Sequence, residues 1–271
     1  MPYRGLAALA GVLLGLLVAC GQPVVTVEPL YVRLQATGST ALSPLVAELE
    51  VAFHEQAPSA SLAVDGAGTG YGLEALRTGE ADLALASWLP ADMSPAWRAT
   101  PIARDGIAII VHPDNPMQGV GLLQLQDLFS GRAYEWKSVG APSAQGVVQP
   151  VSREEGSGTR AAFEALAMDG HRVTPRAVVM SSSQAVVDYV AGHRQAIGYV
   201  SIGYVSPAVK ALALEREAPT SEAVRQGSYP LCRELWLVTL EPPPPAVQQF
   251  LDFALSPAGQ AIVGRRYARI R

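Results

Sequence analysis

Residues 153–159 read Arg-Glu-Glu-Gly-Ser-Gly-Thr and lie between a short apolar run and a helical pattern. A Gly-Ser-Gly-Thr turn at such a strand-to-helix junction directs backbone N–H groups and the positive end of a helix dipole to one point. Ser157 and Thr159 add hydroxyl donors, and Arg153 can add a bidentate guanidinium fork. This combination is typical of a metal-free site for a tetrahedral oxyanion. The alternative is a turn that caps a helix, with Arg153 paired to Glu155 at the surface.

Two further junctions combine glycine with a hydroxyl. Gly38-Ser39-Thr40 and Gly68-Thr69-Gly70 each stand where a predicted strand becomes a predicted helix. Open α/β sheets gather ligands at the carboxyl ends of their strands. A ligand held by all three turns would therefore lie in a cleft between two lobes.

The apolar pattern predicts strands that alternate with helices. Residues 31–35 read as a strand, residues 41–56 as a helix with a proline in its first turn, and residues 81–86 as a fully buried strand. This alternation predicts an α/β protein with parallel sheets. We place the two crossings between lobes near residues 110–116 and 200–208.

The N-terminal segment is typical of a processed export signal. An apolar run at residues 6–18 is too short for an ordinary membrane span and suits the core of a signal peptide, which we place at residues 1–19. The following Leu-Val-Ala-Cys resembles the lipobox of bacterial lipoproteins, which implies that Cys20 is lipidated. Residues 20–30 then form a tether. An ordinary signal peptide with an incidental cysteine is the alternative.

Composition excludes several classes of protein. The formal net charge is −4, so we expect no nucleic-acid partner. The four histidines are scattered without metal-ligand spacing, and we predict neither a metal nor a cofactor. If Cys20 carries lipid, Cys232 is left without a partner for a disulfide.

Over nearly all of residues 31–271 the chain resembles the phosphate-binding proteins of bacterial ABC transporters, which have the type II periplasmic-binding-protein fold. The order and spacing of several short stretches carry the resemblance, namely residues 36–44, 66–72, 82–87, 109–116, 125–131, 136–140, 153–159, 196–201 and 250–259.

The resemblance implies two α/β lobes with a ligand cleft between them. Lobe 1 would comprise residues 31–112 and 206–271, and lobe 2 residues 113–205. It also implies a monomeric binding protein that captures inorganic phosphate for an ABC permease. Such a protein works on the extracytoplasmic face of the cell membrane, or in the periplasm.

The resemblance also implies roles for particular residues. Arg153 would supply charge, and Glu155 would orient it. The remaining phosphate contacts would come from Ser39 or Thr40, Ala41 through its N–H, Thr69, Ser87, Ser157, Gly158 and Thr159.

One position departs from the pattern and keeps alternatives open. Trp88 stands where phosphate binders often carry an acidic residue, which accepts the proton of phosphate and repels sulfate. The ligand could therefore be sulfate, molybdate or tungstate, or the protein could be a sensor without a transporter. An enzyme is disfavoured, because the sequence has no Gly-x-Ser-x-Gly elbow and no P-loop, and the glycines of residues 66–72 miss the dinucleotide spacing.

Overall fold

Strands and helices alternate through residues 31–140 and 146–270, which a computed structural model describes. The strands are β1 (Val32–Gly38), β2 (Ala60–Gly66), β3 (Leu83–Ala86), β4 (Trp97–Val111), β5 (Gly119–Val120), β6 (Gln149–Arg153), β7 (Val178–Met180), β8 (Ala196–Ser201), β9 (Lys210–Leu214) and β10 (Cys232–Leu240). The helices are α1 (Ser43–Gln56), α2 (Thr69–Thr78), α3 (Leu122–Ser130), α4 (Gly158–Leu166), α5 (Ser183–Gly192), α6 (Ser221–Gln226), α7 (Pro245–Leu255) and α8 (Pro257–Val263). Short 3₁₀ turns cover Trp136–Val139 and Ile202–Tyr204.

The strands follow the order β2-β1-β3-β10-β4-β8-β6-β7, and β9 pairs with both β4 and β5. β1 is parallel to its neighbours β2 and β3, and β6 is parallel to β7 and β8. β10 runs antiparallel between β3 and β4. The predicted α/β class is confirmed, with the addition of antiparallel strands at the centre of the strand order.

The long strand β4 joins two parts of the sheet. Residues 97–106 pair with β10, whereas Ile107–Val111 pair with β8 and β9. We call β2, β1, β3, β10 and residues 97–106 of β4 half-sheet 1. Half-sheet 2 comprises the rest of β4 with β5, β6, β7, β8 and β9.

The change of pairing differs in place from the predicted crossings. It occurs between Gly106 and Ile107, before residues 110–116, because β4 continues through the junction as one strand. On the return path β9 still pairs within half-sheet 2, so the chain returns after residue 214 rather than at 200–208. Residues Tyr31–Arg271 form one compact unit. The lobe boundaries stay a prediction.

Aromatic clusters fix the helices that begin at the candidate site. On half-sheet 1, Phe53 of α1 packs edge-on against Phe250 of α7, with ring centroids 5.4 Å apart. On half-sheet 2, Phe163 of α4 stacks on Tyr199 of β8 at 4.0 Å and meets Phe129 of α3 at 4.8 Å. These contacts give α1 and α4 fixed positions, and therefore fix the turns that precede them.

The predicted signal peptide, tether and Cys20 lie outside the described residues. Within residues 31–140 and 146–270, no helix has both the length and the apolar character of a membrane span.

Candidate functional site

The three glycine-hydroxyl turns converge on one buried cluster of polar side chains. β1, β3 and β6 each end just before or at a member of this cluster. The members are at most 7% exposed, and they are Ser39, Thr40, Thr69, Ser87, Arg153, Ser157 and Thr159. Burial of so many polar groups requires partners, either from the protein or from a ligand.

Three hydroxyls of half-sheet 1 bond to one another. Ser39 Oγ donates to Ser87 Oγ at 2.9 Å, and Thr69 Oγ1 lies 3.5 Å from the same atom. The Ser87 N–H donates to Thr69 Oγ1 at 3.2 Å. A hydroxyl can rotate to donate to a new acceptor, so these three side chains can turn towards an anion placed beside them.

Arg153 is a buried cation at the end of β6, with 2% of its side chain exposed. Its Nε and Nη2 donate to the two carboxylate oxygens of Glu154 at 2.8 and 2.7 Å, and its Nη1 donates to Ser183 Oγ at 3.2 Å. The Nε also lies 3.2 Å from the Met180 carbonyl oxygen. Of the five N–H groups of a guanidinium, one on each terminal nitrogen finds no acceptor among the described residues. A buried guanidinium with two free N–H groups is suited to a bidentate anion.

The orienting role predicted for Glu155 is wrong. Glu154 makes the bidentate contact with Arg153, whereas Glu155 pairs with Arg172 at 2.5 Å and with Arg160 at 3.7 Å. Glu155 is 77% exposed. The turn after β6 places the Glu154 carboxylate against Arg153 and directs the Glu155 carboxylate to solvent.

Sequence reasoning missed Ser183, the first residue of α5. Its hydroxyl is fully buried and lies between Arg153 Nη1 and Thr40 Oγ1, 3.2 Å from each. The Ser183 N–H also donates to Thr40 Oγ1 at 3.2 Å. The signal in the sequence was a run of three serines at another strand-to-helix junction, with Ser182 capping α5.

Backbone groups at the start of α4 face the hydroxyl cluster. A Cβ on Gly158 would fall 2.3 Å from Thr69 Oγ1 and 2.6 Å from Ser87 Oγ, so only glycine allows this approach of the two half-sheets. The first N–H groups of a helix have no partner within the helix, and those of Gly158 and Thr159 are in this position. Ser157 caps the helix by accepting from the Arg160 N–H at 3.3 Å.

The structure therefore brings the predicted residues together from both half-sheets. Besides the Thr40–Ser183 contact, the Gly70 N–H donates to the Gly156 carbonyl oxygen at 2.9 Å. Ala41 is fully buried next to Thr40 in the turn before α1.

A second buried cation, Arg233, lies behind the cluster. Its Nε and Nη2 donate to one carboxylate oxygen of Asp105 at 3.0 and 2.8 Å, and both side chains are essentially inaccessible. Its Nη1 lies 3.4 Å from the Ser87 carbonyl oxygen and 3.5 Å from that of Gly158. Burial raises the pKa of Asp105, and the Arg233 charge and the Ser201 hydroxyl oppose that rise. Arg233 thus contacts backbone carbonyl oxygens on both sides of the site, that of Ser87 after β3 and that of Gly158 at the start of α4.

The cluster has the chemistry of an anion receptor. It offers hydroxyls, helix N-terminal N–H groups and one guanidinium with free N–H groups. Across residues 31–140 and 146–270, no group of three or more histidine, cysteine, aspartate or glutamate side chains is placed to hold a metal. Trp88, which follows Ser87, is half-buried and packs partly against the core.

The chain matches the model of the PBP superfamily domain over residues 23–258. Among curated relatives, the phosphate-binding protein PstS of Bacillus subtilis (strain 168) is 29% identical over 229 residues, which is 82% of this chain and 75% of the relative.

Solved structures share both fold and sequence with this chain. A substrate-binding protein of Clostridium perfringens, assigned to a phosphate ABC transporter and carrying bound phosphate, superposes with a TM-score of 0.83 and 29% identity. The match covers 88% of this chain and all of that one. An ABC-type phosphate transport receptor from Vibrio cholerae gives a TM-score of 0.72 and 29% identity, covering 87% of this chain and 99% of that one.

Proposed function

The chain belongs to the PBP superfamily, and we propose that it is the phosphate-binding protein of an ABC importer. The observation that carries the proposal is the buried Arg153 guanidinium, which donates to Ser183 Oγ and keeps two further N–H groups without an acceptor among the described residues. Ser183 Oγ in turn lies 3.2 Å from Thr40 Oγ1. The relatives named as phosphate-binding proteins support the same ligand.

The charge balance of the site suits an anion that is held by dipoles and hydrogen bonds. Glu154 already neutralises Arg153 formally, and Asp105 neutralises Arg233. The anion is therefore stabilised by oriented donors rather than by excess positive charge, namely the free N–H groups of Arg153, the hydroxyl cluster and the N-terminus of α4. Each charge-assisted hydrogen bond contributes roughly 1.5–3 kcal/mol.

Selectivity against sulfate depends on an acceptor for the proton that phosphate carries at neutral pH. Trp88 offers only an N–H donor and an apolar face, and Glu154 is engaged by Arg153. A hydroxyl oxygen of the cluster or a backbone carbonyl must then take this role. We therefore expect phosphate to be favoured over sulfate by less than in relatives with a carboxylate at that position. The second candidate function, binding of another oxyanion, rests on Trp88 as well, because Trp88 stands where relatives often have a carboxylate.

Calorimetry of residues 31–271 with phosphate, sulfate, molybdate and tungstate, each at several pH values, tests the ligand. We expect phosphate to bind most tightly. Tighter binding of another oxyanion would transfer the proposal to that ligand. Absence of binding by the whole panel would exclude an oxyanion importer.

The proposal includes a lipid anchor at Cys20, delivery of phosphate to an ABC permease, and a monomer on the extracytoplasmic face of the membrane. The Leu-Val-Ala-Cys sequence after a short apolar run supports the anchor. A Cys20→Ala variant should lose lipid labelling and partition into the soluble fraction. Unchanged membrane partitioning of this variant would contradict the anchor. A genome without a neighbouring permease and ATPase would favour the sensor instead.

A further inference from the structure

Two cavities lie where the half-sheets meet, and they have no lining residue in common. One has a volume of about 510 Å³ and is lined by the start of α2, the loop after β3 and the start of α4. The other has a volume of about 670 Å³ and is lined by the starts of α1 and α5, the 3₁₀ turn after β8 and two arginines after α8. We call the first the acidic cavity and the second the arginine cavity, after the charges in their walls.

The acidic cavity repels anions. Four carboxylates line it, against one lining cation, Arg160. Arg77 and Arg172 stand outside the lining and pair with two of the carboxylates, so that four carboxylates face three cations. An anion that approaches from this side meets an excess of negative charge. The carboxylates belong to Glu74, Asp92, Glu155 and Glu164.

Backbone groups close the path from the acidic cavity to the anion site. A Cβ on Gly158 would fall 2.3 Å from Thr69 Oγ1 and 2.6 Å from Ser87 Oγ, which leaves no space between these groups. Next to them, the Gly70 N–H donates to the Gly156 carbonyl oxygen at 2.9 Å. Rotation of side chains does not open this border, because the backbone itself forms it.

The arginine cavity attracts anions. Arg265 and Arg266 line it, and none of the described residues in its lining is a carboxylate. Both arginines pair with the single carboxylate of Glu48, at 3.8 and 3.3 Å, which leaves one positive charge in excess. Their side chains are 66% and 53% exposed and therefore act on an anion that is still in solvent.

Hydroxyl groups separate the arginine cavity from the anion site. Pro44 and Gln184 line the cavity in the first turns of α1 and α5. These two helix starts meet through Thr40 Oγ1 and Ser183 Oγ at 3.2 Å, and the Ser183 N–H also donates to Thr40 Oγ1. When the helix starts part, these donors become free for an anion, because a hydroxyl can rotate to a new acceptor. This border therefore opens at a lower cost than the backbone border at Gly158.

Tyr204 connects the arginine cavity to the anion site. Its side chain lines the cavity, and its hydroxyl donates to the Thr40 carbonyl oxygen at 2.5 Å. Burial raises the pKa of Tyr204, whereas the positive charges of Arg153 and Arg266 oppose that rise. The Tyr204 hydroxyl is thus close enough to interact with the buried cation of the site and with an arginine of the cavity.

We propose, on the basis of the phosphate-binding function proposed above, that phosphate enters between the starts of α1 and α5 and that Arg265 and Arg266 attract it to this entrance. The two helix starts part to admit the anion and close behind it. Arg265 and Arg266 act on the rate of association and do not contact the bound anion, which lies beyond Tyr204 in the buried cluster. They are positioning residues, and their removal changes how fast phosphate binds.

Stopped-flow tryptophan fluorescence of residues 31–271 mixed with inorganic phosphate tests the proposal, with calorimetry for the equilibrium affinity. The double variant Arg265→Gln, Arg266→Gln should lower the association rate constant about three- to tenfold at low salt. Its dissociation rate constant should stay within about twofold of the native value, because the bound anion does not touch these side chains. Raising the salt concentration from about 10 mM to about 0.5 M should remove most of the difference, since ions screen the arginine charges.

The matched control is the double variant Arg132→Gln, Arg225→Gln, which removes the same charge from exposed arginines outside both cavities. Its association rate constant should stay within about twofold of the native value. The variant Glu74→Gln, Asp92→Asn neutralises two carboxylates of the acidic cavity and should also stay within about twofold.

Three results would overturn the proposed entrance and leave the phosphate function intact. In the first, the Arg265→Gln, Arg266→Gln variant associates with phosphate as fast as the control. In the second, neutralising the acidic cavity speeds association more than neutralising the arginine cavity slows it, which would put the entrance at the acidic cavity. In the third, only dissociation changes, so that the arginines hold the bound anion. Failure of the native protein to bind phosphate would instead overturn the function on which the proposal rests.

Discussion

Among the single residues of the site, Arg153 should dominate anion affinity, because it is buried and keeps two N–H groups free. Arg153→Ala should weaken phosphate binding about tenfold to several hundredfold, from a loss of roughly 1.5–3 kcal/mol or more. Arg153→Lys should lose much of the affinity too, because an ammonium lacks the planar fork. Calorimetry measures both, with the exposed Arg172→Ala as control. Affinity that survives Arg153→Ala would place the site elsewhere.

Glu154 and Glu155 form a matched pair of adjacent carboxylates with different partners. Glu154→Gln leaves the Arg153 charge without its counter-charge, so the ligand-free protein should lose about 1–3 kcal/mol of unfolding free energy. Phosphate should restore more stability to this variant than to the native protein, because the anion replaces the missing charge. Glu155→Gln should match the native protein in both conditions. Thermal unfolding with and without phosphate checks this, and identical behaviour of the two variants would refute the role of Glu154.

The sequence allowed the motif residues to be predicted but not all of their partners. Arg153, Ser157 and Gly158 belong to one local turn, so spacing alone brings them together. The choice between Glu154 and Glu155 depends on how that turn folds back, which the residue types do not determine. Ser183 meets Thr40 from 143 positions away, and only the tertiary structure creates that contact.

Among the helices, α4 depends on glycine at its first position. Gly158→Ala would place a Cβ 2.3 Å from Thr69 Oγ1, so the half-sheets could not approach as they do here. Overpacking of this kind costs roughly 1–3 kcal/mol, and phosphate affinity should fall about tenfold or more. Gly192→Ala, where an added Cβ meets nothing within 4 Å, is the control and should bind normally. Isothermal titration of both variants decides, and normal binding by Gly158→Ala would show that the close approach is not needed.

Secondary structure was predictable where burial gives a clear pattern. The buried strand β3 and the second half of β4 are continuous apolar runs, and both were predicted. The first half of β4 was missed because Pro101, Arg104 and Asp105 interrupt its apolar residues. Two of these interruptions have structural reasons: Asp105 pairs with Arg233, and Arg104 pairs through its backbone with Ala268.

At the scale of the whole molecule, the buried pair of Asp105 and Arg233 in half-sheet 1 also contacts β8 and α4. Asp105 accepts from the Ser201 hydroxyl at 2.8 Å, and Arg233 Nη1 lies 3.5 Å from the Gly158 carbonyl oxygen. Arg233→Met leaves a buried carboxylate uncompensated and should destabilise the protein by about 3–5 kcal/mol. The double variant Asp105→Asn, Arg233→Met should recover part of that loss, because no isolated charge remains. Denaturant unfolding of the native protein, the two single variants Asp105→Asn and Arg233→Met, and the double variant measures the coupling. A loss in the double variant equal to the sum of the two single losses would contradict it.

The arrangement of the whole sheet could not be predicted from local patterns. β10 lies between β3 and β4 although it follows them by more than a hundred residues, and only tertiary pairing determines its place. For the same reason the chain returns to half-sheet 1 later than the turn-forming residues near 200–208 suggested.

The most direct test of the central claim is a crystal structure of the protein grown with phosphate. The account predicts a tetrahedral anion within hydrogen-bond distance of Arg153 and of the N–H groups that begin α4, with Thr69 and Ser39 or Thr40 as further donors. Phosphate bound away from Arg153, or an empty hydroxyl cluster at saturating phosphate, would contradict it.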